Sequence, residues 1–240
     1  MATKAQEALL LVQEADTAAD QLRHRRVALA QREAVAAGEA EAVEAKRAHD
    51  ALVELVAELA ARQAELEDGL GVTEARADAV ETRLRSGEST AARDILRWGE
   101  EVEHLRQRAS SLEDQAFQAL VEREAADAEL AGAAERLAAA VASVRRLRGQ
   151  LARAEEDLDT ELGRIEAERT DAAGGVPDDL LARYDRLRAH LGGIGAARLE
   201  DGRCTGCHLA LSPRDLDEAR RAPPDAELAC ESCGRILVRA

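Results

Sequence analysis

A chain of 240 residues with one Trp, one Tyr and one Phe has too few large side chains for an ordinary globular core, although 46% of it is hydrophobic. That 46% is mostly alanine and leucine, charged residues supply another 34%, and the net charge is −15, which is the composition of long helices and coiled coils. No run of about twenty apolar residues is present to cross a membrane.

The segment Met1 to Val12 holds one lysine and a short apolar run, Leu9-Leu10-Leu11-Val12, cut off by Glu14 and Asp16, so it does not read as a signal peptide. All four prolines (Pro177, Pro213, Pro223 and Pro224) lie beyond residue 176, leaving the preceding length without that helix breaker. Ala8, Ala15, Leu22, Leu29, Ala36 and Val43 recur every seventh residue, with weaker companion positions that include Arg26 and Glu33. After a phase slip, a cleaner frame runs Leu52, Val56, Leu59, Gln63, Leu66, Leu70, Thr73, Ala77, Val80 and Leu84.

Arg85-Ser86-Gly87-Glu88-Ser89-Thr90 then offers a glycine to stop one helix and a serine and threonine to cap the next. Asp68-Gly69-Leu70-Gly71 is richer in glycine but sits inside the seam, and reads as a local weak point. Beyond the turn, Val102, Ala109, Ala116, Arg123, Leu130, Leu137, Val144, Leu151, Leu158 and Ile165 form one row of a seam. Leu105, Leu112, Ala119, Ala126, Ala133, Ala140, Leu147 and Ala154 form the other. Two helices of about 80 residues each, joined at about 85–92, fold back as an antiparallel hairpin. Trp98 and Phe117 fit helix packing.

The second helix should fray near Asp171-Ala172-Ala173-Gly174-Gly175. Residues 178–191 read as a short amphipathic helix with Leu180, Leu181, Tyr184, Leu187 and Leu191 on one side. Ser212-Pro213-Arg214-Asp215 has the cap-then-proline order of another helix start, and that helix ends before Pro223-Pro224. Leu228-Ala229 and Arg235-Ile236-Leu237-Val238 can form small strands.

The four cysteines carry the chemistry. Cys204-Thr205-Gly206-Cys207 and Cys230-Glu231-Ser232-Cys233 are two Cys-x-x-Cys hooks, and at this spacing they can close a tetrahedral four-sulfur shell around one structural zinc ion. Iron in the same shell is an alternative occupant. Cys204-Thr205-Gly206-Cys207-His208 also fits a haem-attachment pattern. That reading needs export and a second axial ligand, and the only methionine is Met1. His208 is then a knuckle residue or a reserve ligand.

These elements predict a mainly α protein: a long antiparallel two-helix coiled-coil hairpin over 1–175, with a short helix and a small C-terminal zinc-ribbon domain over 176–240. The chain resembles a bacterial family built as a long coiled-coil hairpin followed by a four-cysteine zinc ribbon, mostly uncharacterised. The likeness lies in Arg83 to Asp114, in Leu181-Ala182-Arg183-Tyr184-Asp185-Arg186-Leu187-Arg188, in Gly192-Gly193-Ile194-Gly195-Ala196-Ala197, and in Cys230-Glu231-Ser232-Cys233-Gly234-Arg235-Ile236-Leu237. The resemblance implies a cytoplasmic, non-enzymatic, zinc-binding protein that engages protein or nucleic-acid partners, some linked to transcription or RNA.

Charge suggests where a partner could bind. Residues 1–175 hold 23 Lys+Arg against 37 Asp+Glu, or −14, and residues 176–240 hold 10 against 11, or −1, so the ribbon region is not an electropositive nucleic-acid module. Pairing the arms about the turn sets residue i opposite roughly 177 minus i, which brings Arg23, Arg25, Arg26 and Arg32 level with Arg145, Arg146, Arg148 and Arg153. Such a belt would attract phosphate or an acidic protein locally, or be a solvated charge face. Glu88 and Asp94 near the turn are similar to acidic hairpin tips that reach a polymerase metal, but Arg83, Arg85, Arg93 and Arg97 accompany them. No nucleophile–base pair or phosphate loop is visible, and a closed zinc shell lacks the open position that a hydrolase needs, so an enzyme is not expected. Two readings follow: an adaptor that docks a protein partner, or an RNA- or DNA-binding regulator using the arginine belt with the ribbon.

Overall fold

The computed structural model describes residues 2–88 and 90–239. In chain order the elements are α1 (Lys4–Val27), α2 (Ala30–Ser86), α3 (Ala92–Ala173), α4 (Asp178–His190), β1 (Ala196–Glu200), β2 (Arg203–Cys204), α5 (Pro213–Arg221), β3 (Leu228–Ala229) and β4 (Ile236–Arg239). The hairpin turn falls where expected, with α2 ending at Ser86 and Gly87 taking φ +68°. α3 begins two residues past Thr90; Ser89, the expected capping serine, lies outside the described residues. Gly69 and Gly71 lie within an unbroken α2.

The first arm is two helices, not one of about 80 residues. α1 stops at Val27, where the Ala28 amide donates to the His24 carbonyl, and α2 starts at Ala30. The heptad frame explains the break. Ala36 and Val43, predicted to continue the first frame, are exposed, whereas the frame running through Leu52 extends backward through His49, Ala45, Ala42, Gly38, Val35 and Gln31, all buried or half-buried. The phase slip therefore sits at Ala28–Leu29, and a helix interruption is how the chain changes which face it buries. His24, Arg25 and Arg26 occupy the last turn of α1, where cations favour the helix dipole, and the Arg32 guanidinium donates to the Arg26 carbonyl across the break.

The chain divides into two compact units: residues 34–147 form an inner unit, and an outer unit joins residues up to 33 with 148 onward. In the inner unit every predicted seam residue of α3, from Val102 to Leu147, is buried or half-buried, as is the whole α2 frame from Leu52 to Leu84. Ala77, Val80, Trp98, Val102 and Leu105 form a buried cluster in it, with the Arg83 guanidinium 5.7 Å from the Trp98 ring centre. Phe117 does not pack in this seam; it is 66% exposed, because it follows the buried Ala116 on the turn that faces outward.

The outer unit holds a four-stranded sheet in the order β2-β1-β4-β3, with β1 and β4 parallel and both outer pairs antiparallel. The β1–β2 hairpin was not anticipated, although Asp201-Gly202 is a strong signal for one: both residues have positive φ, 48° and 74°, as a two-residue hairpin turn requires. α1 packs on this sheet. Leu9, Leu10 and Val12 join Val176, Leu180, Tyr184, Ala196, Ile236 and Val238 in one buried core.

Candidate metal centre

The first hook leaves the end of β2 and the second follows β3, so pairing of these strands through β1 and β4 brings the two hooks together. Each hook closes in the same way. The His208 amide donates to the Cys204 carbonyl and the Gly234 amide to the Cys230 carbonyl, both at 2.8 Å, with His208 (φ 60°) and Gly234 (φ 75°) in the left-handed region. His208 is thus a knuckle residue occupying the place that glycine takes in the other hook.

The four sulfurs lie within 4.8 Å of one another, with Cys204 Sγ 4.0 Å from Cys233 Sγ and Cys207 Sγ 3.8 Å from Cys230 Sγ. A tetrahedron with zinc–sulfur bonds of about 2.3 Å has sulfur–sulfur edges of about 3.8 Å, so the donor set and its spacing fit one structural zinc ion. The separations are far too long for disulfides, and all four thiols are free. Burial pushes the Cys230 thiol up to about 12 and raises Cys204 as well. Burial also acts to raise Cys233, but hydrogen bonds from the Arg235 backbone and side chain, with Cys230 and Cys207 beside it, bring it down to about 7. Zinc takes thiolates, so uptake releases protons and weakens in acid.

Alternation along the central strands gives the sheet two different faces. Ala197 and Leu237 pack with Cys204 and Cys230 on the sulfur side, while their neighbours Ala196, Ile236 and Val238 face the α1 and α4 core. Arg235 joins the knuckles to the rest of the unit. Its guanidinium donates to the carbonyls of Ile194 (2.9 Å) and Leu191 (2.8 Å), and its Cδ lies where a Cβ on Gly206 would stand, 2.6 Å away. Gly206 is therefore fixed by close approach within the first hook.

A buried polar hub in the outer unit was not anticipated from the sequence. Gln13 accepts from the Gly195 and Ala196 amides through Oε1 and donates to the Gly193 carbonyl and the Thr17 hydroxyl through Nε2, which satisfies the whole amide. Asp16 accepts from the Tyr184 hydroxyl and from Arg169 Nε, both at 2.8 Å. Tyr184 is fully buried, and burial first, then the hydrogen bond to Asp16, raises its pKa well above the ordinary value. Gln6 forms a capping box with Thr3 and donates to the Ala226 carbonyl. The Thr3-x-x-Gln6 spacing was legible as a capping signal; the long-range roles of Gln6, Gln13 and Asp16 had no local signature.

The eight arginines do not share one level in the way a 177-minus-i register demands. Arg23 pairs with Glu166 and Asp20, Arg26 with Asp159, and Arg32 with Glu155. Each partner on α3 lies eight to twelve residues beyond the position that the register assigned. The offset is already present in the uninterrupted α2, where Gly38 lies against Val144 and Leu147 and Gly69 against Leu112, four to eight residues beyond the positions that the register assigns. Carboxylates thus face these three arginines, and hydrogen bonding to Asp159 raises the pKa of Arg26 further. Arg25, Arg145, Arg146, Arg148 and Arg153 are exposed, with Arg146 donating to the Ser143 hydroxyl. Among the described residues the four thiols are the one group of three or more metal-type ligands, and no helix is long and apolar enough to cross a membrane.

A coiled-coil helical hairpin carrying a small sheet with a C4-type cysteine cluster is the class of protein that this fold and site define. The CT398-like coiled coil hairpin domain matches residues 12–192, and the C4-type zinc ribbon domain matches residues 203–237. The chain belongs to the CT398-like coiled-coil hairpin family. The uncharacterized protein Rv2229c of Mycobacterium tuberculosis is 29% identical over 248 aligned positions, covering 98% of this chain and 95% of that protein. A solved structure from Mycobacterium smegmatis matches with a TM-score of 0.71 at 24% identity, covering 99% of both chains. CT398 from Chlamydia trachomatis matches with a TM-score of 0.68 at 18% identity, covering 98% of both. At these identities the two structures are alike in fold.

Proposed function

We propose that this protein is a non-enzymatic adaptor: a coiled-coil hairpin that docks a protein partner, with a ribbon fixed by one structural zinc held by Cys204, Cys207, Cys230 and Cys233. The observation that carries the adaptor reading is the exposure of large apolar side chains on the charged inner unit. Phe117 and Val121, one helical turn apart, are 66% and 43% exposed, and Leu96 is 68% exposed. A side chain as large as Phe117 contributes most when a partner buries it. The four-thiol shell supports a structural role for the metal, since four protein ligands leave no position for substrate. Thiols kept for metal also suit a reducing, cytoplasmic location.

The ion pairs of Arg23, Arg26 and Arg32 weigh against the alternative of a nucleic-acid regulator built on an arginine belt, because carboxylates already neutralise these cations. The test is an affinity pull-down from cell extract, with and without nuclease, using the parent and a Phe117→Glu/Val121→Glu variant. A discrete protein retained after nuclease and lost with the variant supports the adaptor. Retention that disappears with nuclease and weakens in Arg145→Glu/Arg146→Glu/Arg148→Glu replaces it with the nucleic-acid reading.

A further inference from the structure

We propose that the zinc centre is a latch for the first half of the amino-terminal helix: metal held by the two hooks fixes the β1–β4 pair whose opposite face seats residues 6–16 of α1, so loss of zinc releases that stretch while the inner unit stays folded. The inference rests on the reading that the four cysteines hold zinc.

Three observations converge on it. First, the parallel pair β1–β4 is only one residue layer thick between the sulfurs and α1. Ala197 and Leu237 touch the cysteine cluster, while the adjacent Ala196, Ile236 and Val238 bury Leu9, Leu10 and Val12. Side chains on the two faces of a strand cannot be displaced independently, because they share one backbone. Second, the polar anchors of α1 end on the same segment. Gln13 holds the Gly195 and Ala196 amides at the entry to β1, and Gln6 holds the Ala226 carbonyl just before β3. If the strands lose their places, both buried amides lose partners, and an unpaired buried amide is costly. Third, the connection to the metal is direct. β4 begins three residues after Cys233, and the intervening Arg235 packs over Gly206 of the other hook while donating to the Ile194 and Leu191 carbonyls.

Neither part is self-sufficient. The sheet has strands of two to five residues, too short to persist without the cluster on one face. The first half of α1, with polar Gln6, Gln13 and Asp16 among its buried positions, gains its apolar burial chiefly from the sheet and α4, whereas Ala19 and Leu22 further along pack with Leu158 and Ile165 of α3. When released, it would present Leu9, Leu10 and Val12, buried to 4% exposure or less in the docked state, as a new apolar face.

The experiment is hydrogen–deuterium exchange on the full chain, zinc-loaded and after removal of zinc by a chelator, with metal content measured in both samples. The expected result is that amides of residues 6–16 lose protection together with those of 196–239, by on the order of 100-fold, while amides of 40–140 and Trp98 fluorescence are unchanged, and that added zinc restores the protection. The reciprocal effect follows from linkage: Gln13→Leu keeps the helix but removes its hold on Gly195 and Ala196, and should weaken zinc binding by about tenfold in competition with a chromophoric chelator. The latch is overturned if the ribbon amides open and those of α1 do not, if the inner unit opens along with them, or if Gln13→Leu binds zinc as tightly as the parent. A purified chain containing no zinc would instead sink the reading on which the latch rests.

Discussion

The two compact units of this chain are held together by different kinds of interaction. The inner unit repeats one solution along its length: alanine and leucine at heptad spacing, with Thr73 as its buried polar residue, whose hydroxyl donates to the Gly69 carbonyl one turn back. The outer unit buries Gln6, Gln13 and Asp16, and each reaches a partner about 150 to 220 residues away. A seam of interchangeable apolar contacts tolerates register shifts, whereas a buried amide or carboxylate has few acceptable partners. The outer unit therefore defines one arrangement of distant segments, and the inner unit supplies length. Each unit has its own reporter, since the only Trp is in one and the only Tyr in the other.

The largest effect that would separate the units is loss of the metal. Cys204→Ser should abolish stoichiometric zinc and unfold the sheet, because a structural zinc in a domain this small supplies much of its folding free energy. Helical circular dichroism should fall only modestly and Trp98 emission should not shift. A Cys204→Ser protein that retains one zinc per chain and a protease-resistant ribbon would contradict the assignment. Acid acts in the same direction: since the ligands must be thiolates, zinc occupancy should fall as pH drops, and a Trp98 signal that follows it would deny the independence of the units.

The hairpin, its turn near Gly87, α4, α5, β3, β4 and the paired hooks were all legible because each has a local cause: a heptad, a glycine, a cap, a Cys-x-x-Cys. What escaped was non-local. The break at Ala28–Leu29 contains no Gly or Pro and exists because two seams of different phase meet there, which becomes plain only when Gly38 is found buried and Val43 exposed. Gln13 and Asp16 look like solvent-face residues of an amphipathic helix until β1 and α4 supply their partners. Asp201-Gly202 is the exception, a local hairpin signal that is readable in the sequence. The arginine pairs of α1 and early α2 fall at other levels than the hairpin register assigns, because the pairing of the arms is already offset by several residues within α2, where Gly38 lies against Val144 and Leu147.

Removing a hub residue is the next largest perturbation. Asp16→Ala strips the acceptor from the Tyr184 hydroxyl and leaves Arg169 and Arg188 facing a gap, so the outer unit should lose about 3 kcal/mol in denaturant unfolding. Trp98 should report an unchanged inner transition. A single coincident transition shifted for both probes would mean that the units unfold as one.

Tyr184 gives a smaller, pH-dependent version of the same comparison. Its folded pKa is raised, by burial and by the Asp16 hydrogen bond, so it is neutral in the fold when an exposed tyrosine would ionise. The sign follows: the contribution is fully present below the unfolded value of about 10 and is lost as pH rises above it, at up to about 1.4 kcal/mol per pH unit. Tyrosinate absorbance should therefore appear only with opening of the outer unit, and Tyr184→Phe should flatten the alkaline slope. Ionisation near pH 10 with α1 still protected would show that the phenol is not sealed.

The smallest effects belong to the helical glycines of α2, and there the sign depends on space. Gly71 is exposed with nothing within 4 Å of an added Cβ, so Gly71→Ala removes backbone freedom from the unfolded chain without a clash and should stabilise the inner unit by about 0.5–1 kcal/mol. At the buried Gly38 an added Cβ would meet Leu147 Cδ1 at 3.0 Å and Val144 Cγ2 at 3.6 Å. The gain in helix propensity there is of the same size, about 1 kcal/mol, as the cost of pressing on a seam that already packs closely. Leu147 is only half-buried and its methyl can yield, so the two should nearly cancel. Gly71→Ala should thus raise the Trp98 unfolding midpoint, Gly38→Ala should leave it close to the parent, and neither should move zinc affinity. A Gly38→Ala protein destabilised by several kcal/mol would show that the alanine-rich seam is a tightly fitted core, and the contrast between a tolerant inner unit and an exacting outer one would fail.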